Sequence, residues 1–129
     1  MSEKYLSQAK KLLTEYFVTR NDRICVYPEM SISIDGNLEE WIDRHIKGEK
    51  RLGFYTLNLD STVKWAVIDL DNHSSDDEVS GYIEKYLDEL KSLSNQIGLH
   101  YNMEISKRGD FHIWVFFDEP IDAKIVRTF

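Results

Sequence analysis

One cysteine, Cys25, in 129 residues leaves no partner for an internal disulfide and no thiolate set for a zinc cage. No stretch reaches the roughly 18 consecutive apolar residues of a membrane-spanning helix. The opening residues MSEKYLSQAKK carry charge without an apolar h-region, which reads as a chain with no secretory signal. A reducing cytoplasm is the expected setting. Positive charge is also scarce, with 16 basic residues against 23 acidic ones and a formal net charge of −7. That balance excludes a uniformly basic nucleic-acid coat. It leaves room for an enzyme with a local basic groove. Internal repeats and low-complexity segments are absent.

What remains is a globular composition, 42% hydrophobic and 12% aromatic, in a length that suits one domain or most of one. The charges are unevenly spread. From Asp69 to Glu89 there are eight acids and one basic residue, Lys85. Arg20 and Arg23 lie close together, as do Lys47, Lys50 and Arg51. An acidic centre with basic flanks suits metal-dependent phosphoryl transfer; a solvated surface of mixed sign is the plainer reading.

Apolar spacing predicts an amphipathic helix from Tyr5 to Phe17, with Ser2 as a candidate cap, and a second from Leu38 to Ile46 ended by Gly48. Short strands are expected at Arg23 to Tyr27 and at Ser31 to Ile34, then a longer one from Arg51 to Asp60. Lys64 to Leu70 is an almost unbroken apolar run, which predicts a strand buried on both faces. The longest helical stripe runs from Val79 through Tyr82, Ile83, Tyr86, Leu87, Leu90 and Leu93 to Ile97. Strands are expected from Leu99 to Ile105 and from Phe111 to Phe117, the latter broken by Asp118-Glu119-Pro120. A short helix should follow Asp122.

Chemistry concentrates at two places. The first is KWAVIDLDNH, Lys64 to His73, where an apolar strand delivers Asp69 and Asp71 to one face. Two carboxylates so close are unfavourable unless a cation or donor neutralises them. Mg²⁺ or Mn²⁺ shared with a substrate phosphate would do so. Taken alone, the pair reads more readily as a strand running out into an acidic turn, and His73 as a strand-end residue. The second place is EISKRGDFHIWVFF, where Ser106, Lys107, Arg108 and Gly109 form a tight turn before a strand bearing His112. Turn amides with adjacent Lys and Arg make a phosphate cradle; a hairpin turn with a core histidine is the alternative.

Together these stretches resemble the archaeo-eukaryotic primase (primase-polymerase) superfamily, and most closely the primase domain of TOTE conflict systems. That family carries a stretch like AVDFD, a helix, and then E-x-S-x-x-G-x-x-H-x-W-x-F-F-x-x-P-x-x-A. Here the matching residues are Ala66-Val67-Ile68-Asp69-Leu70-Asp71, then Glu104, Ser106, Gly109, His112, Trp114, Phe116, Phe117, Pro120 and Ala123. The resemblance is specific from Gly53 onwards and looser before it.

The resemblance implies an α/β (α+β) fold, a primase-type catalytic core with an N-terminal α/β module and part of an RRM-like sheet. Residues 1–52 would supply the N-terminal α/β portion and 53–129 the motif-bearing strands of one catalytic domain. It implies a metal-dependent nucleotidyltransferase with Mg²⁺ or Mn²⁺ on Asp69 and Asp71. His112 would contact the nucleotide phosphates, while Ser106, Lys107, Arg108 and Gly109 line the triphosphate pocket. The implied partners are nucleoside triphosphates and single-stranded DNA or a primer-template, with no membrane.

The family's third acidic residue is expected on a strand beyond Pro120, and DAKIVRTF does not supply it. Asp110 and Asp118 stand outside the expected place. The chain is therefore expected to be the N-terminal part of a larger primase-polymerase or helicase-containing protein, weak or inactive in polymerisation by itself. A catalytically inactive module that binds nucleotide or single strands is the competing expectation, with Tyr27, Trp41, Phe54, Tyr55 and Trp65 as candidate stacking residues. Two enzyme classes fit less well. A replication-initiator endonuclease needs two histidines flanking one apolar residue, and only His112 is present. A haloacid-dehalogenase-type phosphatase usually has Thr or Val two residues after the second Asp, where His73 stands.

Overall fold

A computed structural model describes residues 2–28, 30–72 and 77–128, with backbone alone at 77–80. The chain runs α1 (Glu3–Leu12), a π-helical turn (Leu13–Phe17), β1 (Arg23–Val26), β2 (Met30–Ser33), α2 (Leu38–Ile46) and β3 (Leu52–Gly53). It continues through β4 (Thr62–Leu70), α3 (Asp77–Ile97), β5 (Asn102–Ile105), β6 (Phe111–Asp122) and α4 (Ala123–Val126). Helices and two small sheets make the mixed α/β fold expected of a primase-type domain. The chain divides into two compact units, Met1–Trp65 with Phe117–Phe129, and Ala66–Phe116.

In the first unit the sheet order is β2-β1-β3. β1 lies antiparallel to both neighbours, pairing Ile24 with Ile32 and Cys25 with Gly53. Alternation along β1 sends Ile24 and Val26 inward, where Ile34, Ile32, Leu38, Trp41, Leu52 and Phe54 close the core. Helix α2 contributes Ile42, fully buried. Its acids Glu39 and Glu40 open the first turn and Arg44 and His45 end the last, matching the helix dipole. On α1 the expected stripe splits. Leu6, Ala9, Leu13 and Phe17 are half-buried, whereas Tyr5, Leu12 and Tyr16 are exposed. Lys10 reaches α2, 3.1 Å from Asp43 and 3.5 Å from Glu39. Ser2 occupies the cap position through its backbone carbonyl, its side chain making no cap bond. The π-helical turn ends with Val18 in an extended conformation. The carbonyls of Phe17 and Val18 then accept from Trp65 Nε1 (2.9 Å) and Lys64 Nζ (3.1 Å).

Two expectations for this unit need correction. The strand expected from Arg51 to Asp60 is a strand only at Leu52–Gly53, opposite Val26 and Cys25 of β1. Beyond it the chain turns back on itself, Leu57 bridging Val63. Asp60 Oδ1 closes that turn by accepting from the Thr62 amide (3.0 Å) and hydroxyl (2.6 Å). The break expected at Asp118-Glu119-Pro120 is also absent, since β6 continues to Asp122. Pairing with β5 ends at Trp114, so Pro120 lies where no β5 ladder bond is required. Asp122 then caps α4, accepting from the Lys124 amide at 2.8 Å.

The sheet that carries the motifs has the order β4-β6-β5. β4 is not buried on both faces: along one face Val63 and Trp65 are buried and Val67 and Asp69 exposed, while Lys64, Ala66, Ile68 and Leu70 on the other are half-buried. In Ala66–Phe116, Ile113 on β6 is fully buried, and among the described residues of α3 Leu90 is buried. The expected α3 stripe divides, with Ile83, Leu87 and Leu90 turned inward and Tyr82, Tyr86, Leu93 and Ile97 exposed.

Candidate active site

β4 ends at Leu70, so Asp69 is the last carboxylate within the strand and Asp71 stands just beyond it. Both are exposed. β5 and β6 form a hairpin whose register sets Glu104 directly opposite His112 and Asn102 opposite Trp114. Residues two apart on a strand share a face, so His112 and Trp114 stand side by side along β6. Trp114 and Phe116 are stacked, with ring centroids 6.4 Å apart and planes inclined by 10°.

The imidazole of His112 joins the motif halves. Its Nε2 lies 3.4 Å from Asp69 Oδ1, and its Nδ1 lies 3.3 Å from Glu104 Oε2. Trp114 Nε1–H donates to that same Glu104 oxygen at 3.2 Å. One carboxylate oxygen thus holds two rings from the neighbouring strand. This sets the plane of the imidazole and directs its second nitrogen toward Asp69. Side-chain exposure of 33% for His112 against 58% for Asp69 leaves the acid open to a ligand while the base is partly enclosed.

The turn between β5 and β6 is organised by a residue pair that the motif reading did not single out as a unit. Ser106 Oγ donates to Asp110 Oδ2 (3.0 Å) and accepts from the amides of Arg108 (3.1 Å) and Asp110 (3.2 Å). The Gly109 amide donates to the Ser106 carbonyl. Gly109 has φ +86, the left-handed region that a turn of this kind reserves for glycine. A side chain there would meet nothing nearer than Asn72 Nδ2 at 3.9 Å, so backbone conformation is what the position demands of glycine. The buried carboxylate of Asp110 reaches further, its Oδ1 accepting from the Asn72 amide at 2.9 Å. Asp110 therefore pins the chain leaving Asp71 to the turn carrying Lys107 and Arg108.

The amides of Arg108, Gly109 and Asp110 point at Ser106, so anion contacts from this turn fall to the exposed side chains of Lys107 and Arg108. His73 lies outside the described residues. Asp118, on the distal part of β6, is exposed.

No cluster of three or more His, Cys, Asp or Glu with metal-site geometry occurs among the described residues. The donor set at the end of β4 nevertheless fits a hard divalent cation. Asp69 and Asp71 are exposed oxygen donors, and the buried Oδ1 of Asn72 has no hydrogen-bond partner among the described residues. Mg²⁺ and Mn²⁺ are commonly held by one or two carboxylates together with substrate phosphates rather than by a closed protein cage. Asp69 and Asp71 would hold such an ion.

Glu104 and Asp110 were named in the sequence, one as a motif match and the other as a possible third acid, but neither was given the positioning role that the structure shows. Glu104 could have been found from the hairpin register, since a tight turn at 106–110 forces it opposite His112. The signal for Asp110 was Ser and Asp four residues apart around a glycine, a spacing suited to side-chain closure of a turn.

A profile of the Archaeo-Eukaryotic Primase domain of the TOTE conflict system matches residues 3–129. The chain belongs to that family. No curated protein matches the chain with significance. Family membership makes the chain a primase-like nucleotidyltransferase domain or a related module, of a kind that is generally dependent on divalent metal. No helix among the described residues is long and apolar enough to cross a membrane.

Proposed function

We propose that this chain binds a nucleoside triphosphate with Mg²⁺ or Mn²⁺ and serves metal-dependent nucleotidyl transfer on a single-stranded template. The observation that carries the reading is the 3.4 Å approach of His112 Nε2 to Asp69 Oδ1, which unites the two motif halves at one point. Asp69 and Asp71 would hold the ion, whose chemistry is to neutralise phosphate charge and favour attack at the α-phosphorus. Lys107 and Arg108 bind the β- and γ-phosphates through their exposed side chains. His112 donates to a phosphate oxygen, kept in place by Glu104. Ser106 and Gly109 shape the turn that presents both cations. A 3′-hydroxyl oxygen forms the new bond to the α-phosphorus as its proton passes to solvent, and pyrophosphate departs with the electrons of the broken bond. Most of the protein's contribution is positioning and charge stabilisation.

The test is nucleotide binding and incorporation on a single-stranded template with Mn²⁺ or Mg²⁺. Metal-dependent binding of the triphosphate should be lost in Asp69→Ala and His112→Ala, and incorporation by this chain should be slow. Metal-independent binding that Asp69→Ala leaves intact would replace the enzyme with a binding module.

A further inference from the structure

We propose that the outward face of the sheet β2-β1-β3 is a docking surface for single-stranded nucleic acid, with Tyr27 and Tyr55 as stacking platforms. The register places Cys25 of β1 between Ser31 of β2 and Gly53 of β3, on the face opposite the Ile24 and Val26 core. Arg23 shares that outward face. Its guanidinium spans β2, with Nε 3.1 Å from Ser31 Oγ and Nη1 3.5 Å from Ser33 Oγ. Tyr55 lies across the same face and donates to Ser31 Oγ at 2.7 Å. The Tyr27 amide donates to the Arg51 carbonyl at 2.9 Å, extending the β1–β3 ladder by one residue.

Two arginine-on-tyrosine pairs flank this surface. Arg20 lies 5.5 Å from the centroid of Tyr55, and Arg51 lies 5.1 Å from that of Tyr27. Between them the floor is low, since Gly53 has no side chain and a Cβ there would come 3.4 Å from Cys25 Cβ. Tyr27 is 61% exposed, unlike Trp41 and Phe54, which pack on the core, and Trp65, which is buried. On the outward face Tyr27 is thus exposed and Tyr55 half-buried, whereas the other three candidate stacking aromatics belong to the core side.

Charge selects the occupant. Elsewhere in this unit three basic side chains are matched to acids, Lys10 with Asp43, Arg20 with Asp22, and Arg44 with Glu49. Among the described residues, Arg23 and Arg51 have no carboxylate within ion-pair distance. In a chain of net charge −7, two guanidiniums with no carboxylate within ion-pair distance, beside one exposed and one half-buried tyrosine ring, form a local site for a polyanion with flat rings. A single strand offers both, phosphates for Arg23 and Arg51 and bases for the tyrosines. This surface lies apart from Asp69 and His112 in sequence and would bind whether or not those residues support chemistry.

Fluorescence anisotropy of labelled 12-mer dT and rU, titrated with the full chain in EDTA without triphosphate, tests it. Those conditions keep the result independent of metal or nucleotide binding at Asp69. Tyr27→Ala and Arg51→Ala should each weaken binding by about 5- to 10-fold, with the salt slope falling by about 0.7 per arginine removed. Tyr27→Phe should retain the affinity, as should Lys85→Ala on α3. Polyglutamate of equal length should not compete. The proposal is overturned if the wild-type chain does not bind the oligonucleotides, if folded Tyr27→Ala and Arg51→Ala bind like wild type, or if polyglutamate displaces them equally.

Discussion

Among the described residues, the buried apolar ones in Met1–Trp65 with Phe117–Phe129 are Val18, Ile24, Val26, Ile34, Ile42, Val63 and Trp65, and in Ala66–Phe116 they are Leu90 and Ile113. The second unit is ordered instead by carboxylates that each hold two donors. Asp110 holds Ser106 and the Asn72 amide, while Glu104 lies against His112 and Trp114. Apolar burial is non-directional and tolerates small changes of orientation. A hydrogen-bonded carboxylate fixes an angle as well as a distance. Such contacts occur in the first unit too, where Asp60 accepts twice from Thr62, but in the second they surround the imidazole and the turn that carries Lys107 and Arg108.

The contrast is broken most strongly by cavities in the first unit. Ile24→Ala or Ile42→Ala removes a fully buried side chain and should cost about 2–5 kcal/mol. Urea unfolding followed by Trp41 and Trp65 fluorescence would register it. A midpoint like that of wild type would show that this core does not carry the stability assigned to it. Next comes Asp110→Ala, which leaves the Asn72 amide and the Ser106 hydroxyl without their acceptor. It should cost about 1–3 kcal/mol, concentrated in the turn, so amide exchange should speed up at Asn72, Arg108 and Asp110. Asp110→Asn should lose less, retaining one carbonyl acceptor.

Glu104→Ala should change stability by under about 1 kcal/mol, because the carboxylate is largely exposed. Its effect should fall on His112. Affinity for Mn²⁺–nucleotide should drop, and Glu104→Gln, which can still accept from both rings, should restore most of it. Equal losses in the two variants would mean that charge rather than orientation is what Glu104 supplies.

The smallest effect concerns acid. The Arg20 side chain hydrogen-bonded to Asp22 holds that carboxyl below the usual carboxylate range, and bonds from Thr62 do the same for Asp60. Groups whose folded pKa is depressed add stability above the unfolded pKa, and lose it as pH falls through the folded value. Both groups are at the surface, so the change should be slight. It should be confined to acid pH and reduced in Asp22→Asn and Asp60→Asn. Carboxyl chemical shifts against pH would check it.

Much of this arrangement was legible in the order of residues. Leu38 to Ile46 and Lys64 to Leu70 announced their elements through apolar spacing, and SKRGD announced its turn through Gly109. Non-local facts were not legible. The stripe on α3 contains more apolar residues than one face can bury, so spacing could not tell Leu90 from Tyr86. Pro120 ordinarily interrupts a strand, and here it lies past the end of the β5 pairing. In the candidate site, Asp69 and His112 were named by motif, but their approach depends on the β4-β6-β5 sheet order. Local spacing carries no information on that order.

The central claim is that Asp69, Asp71 and His112 form one metal–nucleotide site. Electron paramagnetic resonance of Mn²⁺ titrated into the chain with ATP tests it most directly. The account predicts a protein-bound Mn²⁺ signal that requires the triphosphate, is lost in Asp69→Ala and Asp71→Ala, and is weakened in His112→Ala. A bound signal of the same strength in all four proteins would contradict it.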